Sequence, residues 1–190
     1  MAAPAIVSRL MRAGRIAEAE VAFRNIKTPS PAACRSLING YVRLGAIEKA
    51  SEATQRLLVP RLQGMDARSF NLMILVECKR KNFDDALKIM HLMEQEPSVA
   101  LPDLVHGYST LLRELGSDSP EKARAYYDQI KTEKNPDAID IRMQSLTPPL
   151  HRDIINTLMR IHAAHGEWHQ VVCFLHEAKS LGIEANDHTK

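Results

Sequence analysis

Four imidazoles, His162, His165, His169 and His176, lie within a short stretch of the chain, and histidines at helical spacing are a common way to hold a metal ion. Gly166 falls between the first pair and His169, where it interrupts the helix that would align them, and no cysteine or carboxylate completes the set. These histidines read as solvated helix residues, so no metal and no cofactor is expected. The three thiols, Cys34, Cys78 and Cys173, are far apart and lack the paired spacing of zinc or redox sites. They read as reduced side chains packed in helices. The chain has no Gly-rich phosphate loop, no His-Glu-x-x-His and no nucleophile elbow, so no catalytic residue is expected and the chain reads as a non-enzyme.

The remaining chemistry is cationic. Arg12, Arg43 and Lys79 fall at the same place near the end of a helix in three successive repeats, where stacking would align them for phosphate contact. Cations at a helix C-terminus also favour the backbone dipole, which is a purely structural reason for them. In the middle of the chain Arg56, Arg61, Arg68, Lys79, Arg80 and Lys81 outnumber Asp66 and Glu77. Over the whole chain 25 Lys/Arg against 23 Asp/Glu leave a charge of +2, so an anionic partner has to be gripped locally rather than drawn by a global field. No apolar run approaches the roughly 18 residues of a membrane span. The first 17 residues hold Arg9, Arg12 and Arg15 and no acid, the composition of an organelle transit peptide, yet they also fit the repeat and are kept as structure.

The elements that must position these groups are helical. With 4 Phe, 4 Tyr and 1 Trp in 190 residues, and no long alternating Val/Ile/Thr runs, there is little from which to build a sheet. Small residues Ala19, Ala50, Ala86, Ala123 and Val171 recur about every 35 residues, with one longer step, which is the signature of a stacked repeat. Four residues beyond them stand Phe23, Thr54, Met90, Tyr127 and Leu175, and seven beyond stand Ile26, Leu57, Met93, Ile130 and Ala178. Some twelve residues earlier come Ile6-Val7, Leu37-Ile38, Met73-Ile74, Thr110-Leu111 and Leu158-Met159. In the fourth unit a turn one residue shorter brings Tyr108, Leu111, Leu112 and Leu115 onto one face. Turn signals separate the helices of each unit at Gly14, Gly45, Lys81-Asn82, Gly116 with Pro120, and Gly166. Ser119-Pro120-Glu121 reads as a helix cap followed by proline at the first helical position. Pro29 and Pro31, Pro60 with Gly64, Pro97 with Pro102, and Pro136 mark the breaks between units. The expected architecture is an all-α, right-handed α-solenoid of about five tandem helix-turn-helix repeats. Its units run approximately over 1–30, 31–66, 67–103, 104–137 and 152–186, and an irregular insertion occupies 138–151.

The runs Ser36-Leu-Ile-Asn-Gly-Tyr-Val-Arg-Leu-Gly-Ala-Ile-Glu-Lys-Ala50 and Asn156-Thr-Leu-Met-Arg-Ile-His-Ala-Ala-His-Gly-Glu-Trp168 resemble the pentatricopeptide repeat (PPR) family of helical RNA-binding proteins. The tetratricopeptide repeat, a rival that builds protein-binding scaffolds, favours a small residue where this chain has Val7, Ile38, Ile74, Leu111 or Leu112, and Met159. The resemblance implies a single RNA strand on the concave face, each base read by two or three side chains of one repeat. Carried onto this sequence, the reading pairs are Arg35 with Asp66, Asn71 with Asp103, Ser109 with Asp137, and Asn156 with Asn186. Asn71 with Asp103 matches the family's combination for uracil, and Asn156 with Asn186 one that accepts pyrimidines. Arg35 with Asp66 is no recognised reading pair and is suited to an ion pair. The residues that would sandwich a base are Ala32, Arg68, His106 or Val105, and Asp153, of which two are charged. The implied role is a non-catalytic RNA-binding adaptor of an organellar ribonucleoprotein, in RNA processing or a mitochondrial ribosome, with single-stranded RNA and other proteins of that assembly as partners. The implied location is the mitochondrion or plastid. The alternative is a tetratricopeptide-like scaffold that binds protein without RNA.

Overall fold

A computed structural model of the chain describes residues 3–61, 65–132 and 148–183. Within them lie ten α-helices, one short 3-10 turn and no strand. The helices are α1 (Ala3–Arg12), α2 (Ile16–Arg24), α3 (Pro31–Arg43), α4 (Ile47–Leu57), α5 (Ala67–Lys79), α6 (Phe83–Gln95), α7 (Leu101–Asp118), α8 (Pro120–Thr132), α9 (Pro148–Ala164) and α10 (Trp168–Ser180). The chain divides into two compact units, Met1–Ile89 and Met90–Lys190.

The helix ends follow from local chemistry. Gly14, Gly45 and Gly166 take the left-handed conformation at φ 73°, 73° and 77°, which closes α1, α3 and α9 without a Cβ clash. At the end of α5 the same conformation is taken by Lys81, at φ 63°. In all four turns an amide bonds a carbonyl five residues back: Arg15 to Leu10 at 3.0 Å, Ala46 to Tyr41 at 2.9 Å, Asn82 to Glu77 at 3.0 Å and Glu167 to His162 at 2.9 Å. This pattern satisfies carbonyls that a helix end leaves open. Helix starts are capped by Ser30, whose hydroxyl accepts from the Ala33 amide at 3.2 Å, and by Asp66, whose carboxylate accepts from the Ser69 amide at 2.8 Å. Ser119 caps α8 through the Lys122 amide at 3.3 Å, with Pro120 as its first residue.

In the first unit α1 packs on α2 and α3, α2 on α3, α3 on α4 and α5, and α4 on α5. In the second, α7 packs on α8 and α9, α8 on α9, and α9 on α10. The recurring small residues Ala19, Ala50, Ala86 and Ala123 are fully buried, as are Thr54, Met90 and Tyr127 four positions on. Val7, Leu37, Ile38, Met73, Ile74, Leu111 and Leu158 are buried from the first helices, and so are Tyr108, Leu112 and Leu115. Each buried Leu or Ile contributes about 1.5–3 kcal/mol, so stability is spread along the seams between hairpins.

Four expectations need correction. Gly116 is no turn residue: α7 continues through it to Asp118, because the Ser119-Pro120 cap starts α8 directly. It is instead a point of close approach, where an added Cβ would lie 2.5 Å from Ile161 Cγ2 of α9. Pro148–His151, expected in the irregular insertion, form the first turn of α9, since proline suits that position. In α10 the inward residues are Phe174 and Ala178, while Val171 is half-buried and Leu175 exposed. Ile6 is also exposed, and Val7 alone carries the apolar contact there. Pro136 and residues 138–147 lie outside the described residues.

Candidate nucleic-acid interface

The face between α1 and α3 exists because Gly40 has no side chain: Met11 fills its place, and an added Cβ would meet Met11 atoms at 2.4–2.7 Å. The two first helices thus meet at a small residue. Beside this contact a groove of about 390 Å³ opens, lined by Ser8, Met11, Arg12, Ser36, Asn39, Gly40, Val42 and Arg43. Two guanidinium groups and three neutral hydrogen-bonding side chains therefore share one concavity. Arg12 donates to the Ser8 hydroxyl at 3.3 Å and is exposed. Arg43 donates to the Met11 carbonyl at 2.7 Å, which neutralises the open end of α1. Lys79 is exposed in the last turn of α5, the helix that follows on α3.

The first pair of reading positions is occupied by its own partner. Arg35 Nη1 forms an ion pair with Asp66 Oδ2 and donates to the Ser69 hydroxyl at 3.1 Å. Partial burial pushes the Asp66 carboxyl up, but the Ser69 amide and hydroxyl and the Arg35 guanidinium outweigh it and hold the group below its ordinary range. Both side chains serve the α3–α5 junction and the start of α5. Asn71 is half-buried on α5 in the first unit, and Asp103 stands half-buried in the first turn of α7 in the second unit. Ser109 lies half-buried in the middle of α7 and Asn156 on α9. Asp137 and Asn186 lie outside the described residues. Of the sandwich positions, Ala32, Arg68, His106 and Asp153 are exposed and Val105 is buried. Val105 is thus the only large apolar side chain among them, and it faces the core.

Among the described side chains, Arg56, Arg80 and Lys81 of the central run of cations have separate surroundings. Arg80 is tied to Glu77 at 3.0 Å and lies 3.8 Å from Glu48. The Lys81 ammonium sits 5.9 Å from the centre of the Phe83 ring. Arg56 lines a separate groove of about 440 Å³ between α2 and α4, with Glu20, Arg24, Tyr41, Lys49 and Glu52 among its walls. There Glu20 accepts from the Tyr41 hydroxyl at 2.8 Å and from Lys49 at 2.9 Å, so the Lys49 charge is offset within the groove. Glu77, counted as an acid opposing phosphate, is buried and accepts from Arg80 at 3.0 Å and Asn82 at 3.2 Å, clamping the α5–α6 turn.

The four histidines go separate ways. His162 is buried, shares a 2.6 Å hydrogen bond with Glu167 and packs its ring 5.4 Å from that of Phe174. His165 Nδ1 donates to the Ile161 carbonyl at 2.9 Å, which fixes its tautomer. His169 lies beside Cys173 at 3.8 Å, and His176 is exposed. Among the described residues no group of three or more His, Cys, Asp or Glu is placed to hold a metal ion. Cys34 and Cys78 are buried, Cys173 is partly exposed, and none of the three is in a disulfide. No described helix is long and apolar enough to cross a membrane.

Residues 32–58 and 68–97, which span α3–α4 and α5–α6, match the family model of the PPR repeat. The chain carries pentatricopeptide repeats. Arg35 and Arg43 lie within the first PPR match, Asn71 and Lys79 within the second. No curated protein matches the chain. PPR repeats make this a nucleic-acid-binding or scaffolding repeat protein, a class that generally binds rather than catalyses. Three groove residues, Ser8, Ser36 and Asn39, escape a reading confined to charge and family positions. Their signal is Gly40, an isolated glycine inside a helical pattern, which marks close packing and hence a neighbouring concavity.

Proposed function

We propose that the chain is a non-catalytic RNA-binding adaptor of an organellar ribonucleoprotein, acting in RNA processing or in a mitochondrial ribosome. The observation that carries this reading is the groove between α1 and α3, where Arg12 and Arg43 stand with Ser8, Ser36 and Asn39. Guanidinium groups suit phosphate oxygens, and hydroxyl and amide groups suit sugar and base edges. The grip is backbone-directed rather than base-directed, because Arg35 and Asp66 hold each other and the base-sandwich positions lack an exposed large apolar side chain. With about three phosphate contacts the affinity for a single strand falls with salt at a logarithmic slope of about −2. The test measures retention of an unstructured RNA oligomer across a salt series, for the native chain and for Arg12→Glu with Lys79→Glu. The pair of reversals abolishes retention at low salt if the reading is right, and retention unchanged by both salt and the substitutions overturns it. A tagged chain found outside mitochondria and plastids overturns the organellar part.

A second reading, a protein-binding scaffold without RNA contact, is favoured by one observation, the Arg35–Asp66 ion pair that closes a reading position. It predicts salt-insensitive partner binding that survives the same substitutions.

A further inference from the structure

Trp168, Val172 and Leu175 form one stripe along α10, at spacings of four and three residues, and are 65%, 48% and 37% exposed. The repeat register gives this stripe a meaning. Leu175 occupies the position held by Phe23, Thr54, Met90 and Tyr127 in the earlier hairpins, all of which are 9% exposed or less. In the junctions within each unit the second helix of one hairpin lies on the first helix of the next: α2 on α3, α4 on α5, α8 on α9. The stripe on α10 is that same seam with no described helix upon it.

We propose that this seam is closed by α10 of a second copy of the chain, the two helices lying antiparallel about a two-fold axis near Cys173. The stripe is self-complementary in that register. Lys179 lies on it, about three turns from Trp168. An antiparallel pairing that sets Trp168 opposite the partner's Lys179 also sets Val172 opposite the partner's Leu175. Apolar side chains then meet at the centre, and at each end an ammonium faces an indole, the aromatic ring that attracts cations most strongly. A two-fold pair uses one patch twice and closes on itself, whereas stacking the first hairpin of a second copy onto α10 would grow without limit.

Trp168 is the sole tryptophan of the chain, so its fluorescence reports the state of this face directly. The full chain is examined by sedimentation and by emission across a concentration series. Twice the monomer mass, with emission moving to shorter wavelength as the dimer fills, is expected. Val172→Glu and Leu175→Glu should each restore the monomer with helical circular dichroism unchanged, since both side chains are exposed. With Cys173→Ser as background, Val172→Cys combined with Leu175→Cys should give a covalent dimer on oxidation. A monomer with water-exposed emission at every concentration overturns the proposal. So does a monomer with emission already at short wavelength, which means that residues of the same chain cover α10. Species that lengthen with concentration overturn the two-fold mode, and a dimer that survives both glutamate variants places the interface on another face.

Discussion

In both units the first helices of neighbouring hairpins touch at a glycine, Gly40 against Met11 of α1 and Gly116 against Ile161 of α9. What surrounds that contact differs. In the first unit the seam opens into a groove with Arg12 and Arg43 on its walls. In the second unit the polar groups turn to one another: Tyr108 donates to Glu94, His162 is bonded to Glu167 at 2.6 Å, and Tyr127 donates to Glu177 at 2.9 Å. At the position that Arg12, Arg43 and Lys79 hold, two residues before the turn residue, the last hairpin has Ala164. A backbone unit can thus be repeated while its chemistry is not, because stacking constrains the buried stripe and leaves the flanking faces free.

The largest effect that bears on this difference is expected from Phe174→Ala. Phe174 is fully buried, edge-on to Tyr127 at 6.2 Å, with the Arg124 guanidinium 4.7 Å from its ring centre. Its truncation should cost about 3–5 kcal/mol. Hydrogen exchange should accelerate in α8, α9 and α10 and leave α1 to α4 protected; equal loss everywhere would erase the distinction between the units. Next comes Gly116→Ala, expected to cost about 1–3 kcal/mol by overpacking against Ile161. Adding Ile161→Ala should make the two costs strongly non-additive in denaturant titrations. Gly45→Ala is the control: its Cβ meets nothing within 4 Å, so only the left-handed backbone is penalised, by about 1–2 kcal/mol, and no second substitution relieves it.

A smaller effect, about 1 kcal/mol, is expected from Asp66→Asn, which keeps a capping side chain at the start of α5 but removes the negative charge that faces Arg35 and the helix N-terminus. Its pH dependence has a definite sign. The folded carboxyl is held below its ordinary range, so its contribution is complete above the unfolded value of about 4 and is lost as pH falls through and below that value. Thermal unfolding of native and variant chains should therefore differ near neutrality and converge in acid. The smallest effect concerns the groove itself. Arg12→Gln should flatten the salt dependence of RNA binding by about 0.7 in logarithmic slope, one phosphate contact, while Ala164→Gln should leave it unchanged.

The periodicity of the buried stripe was legible in advance because stacking forces it: a small residue at Ala19, Ala50, Ala86 and Ala123 admits the neighbouring helix, and Phe23, Thr54, Met90 and Tyr127 four positions later are buried in the seam. The same reasoning failed at α10, where no further described helix packs beyond Val171 and Leu175 and the helix turns Phe174 inward instead. Gly116 was misread because a glycine near a helix end and a glycine at a helix crossing look alike until the crossing helix is known. Of the site, the alignment of Arg12 and Arg43 followed from the repeat, and the suitability of Arg35 for an ion pair with Asp66 from the family resemblance. The groove did not. Ser8, Ser36 and Asn39 come together only through packing of α1 on α3, and the separation of Arg56 from Lys79 depends on which helix carries each.

The bond from Arg43 to the Met11 carbonyl gives the first hairpin an unusual fastening. A strand that draws this guanidinium toward itself does so in competition with the last turn of α1, so occupancy of the groove and tightness of the chain's leading helix become linked variables. Tension applied to α1 would then be felt as a change in grip, and a tightly held strand as a looser α1.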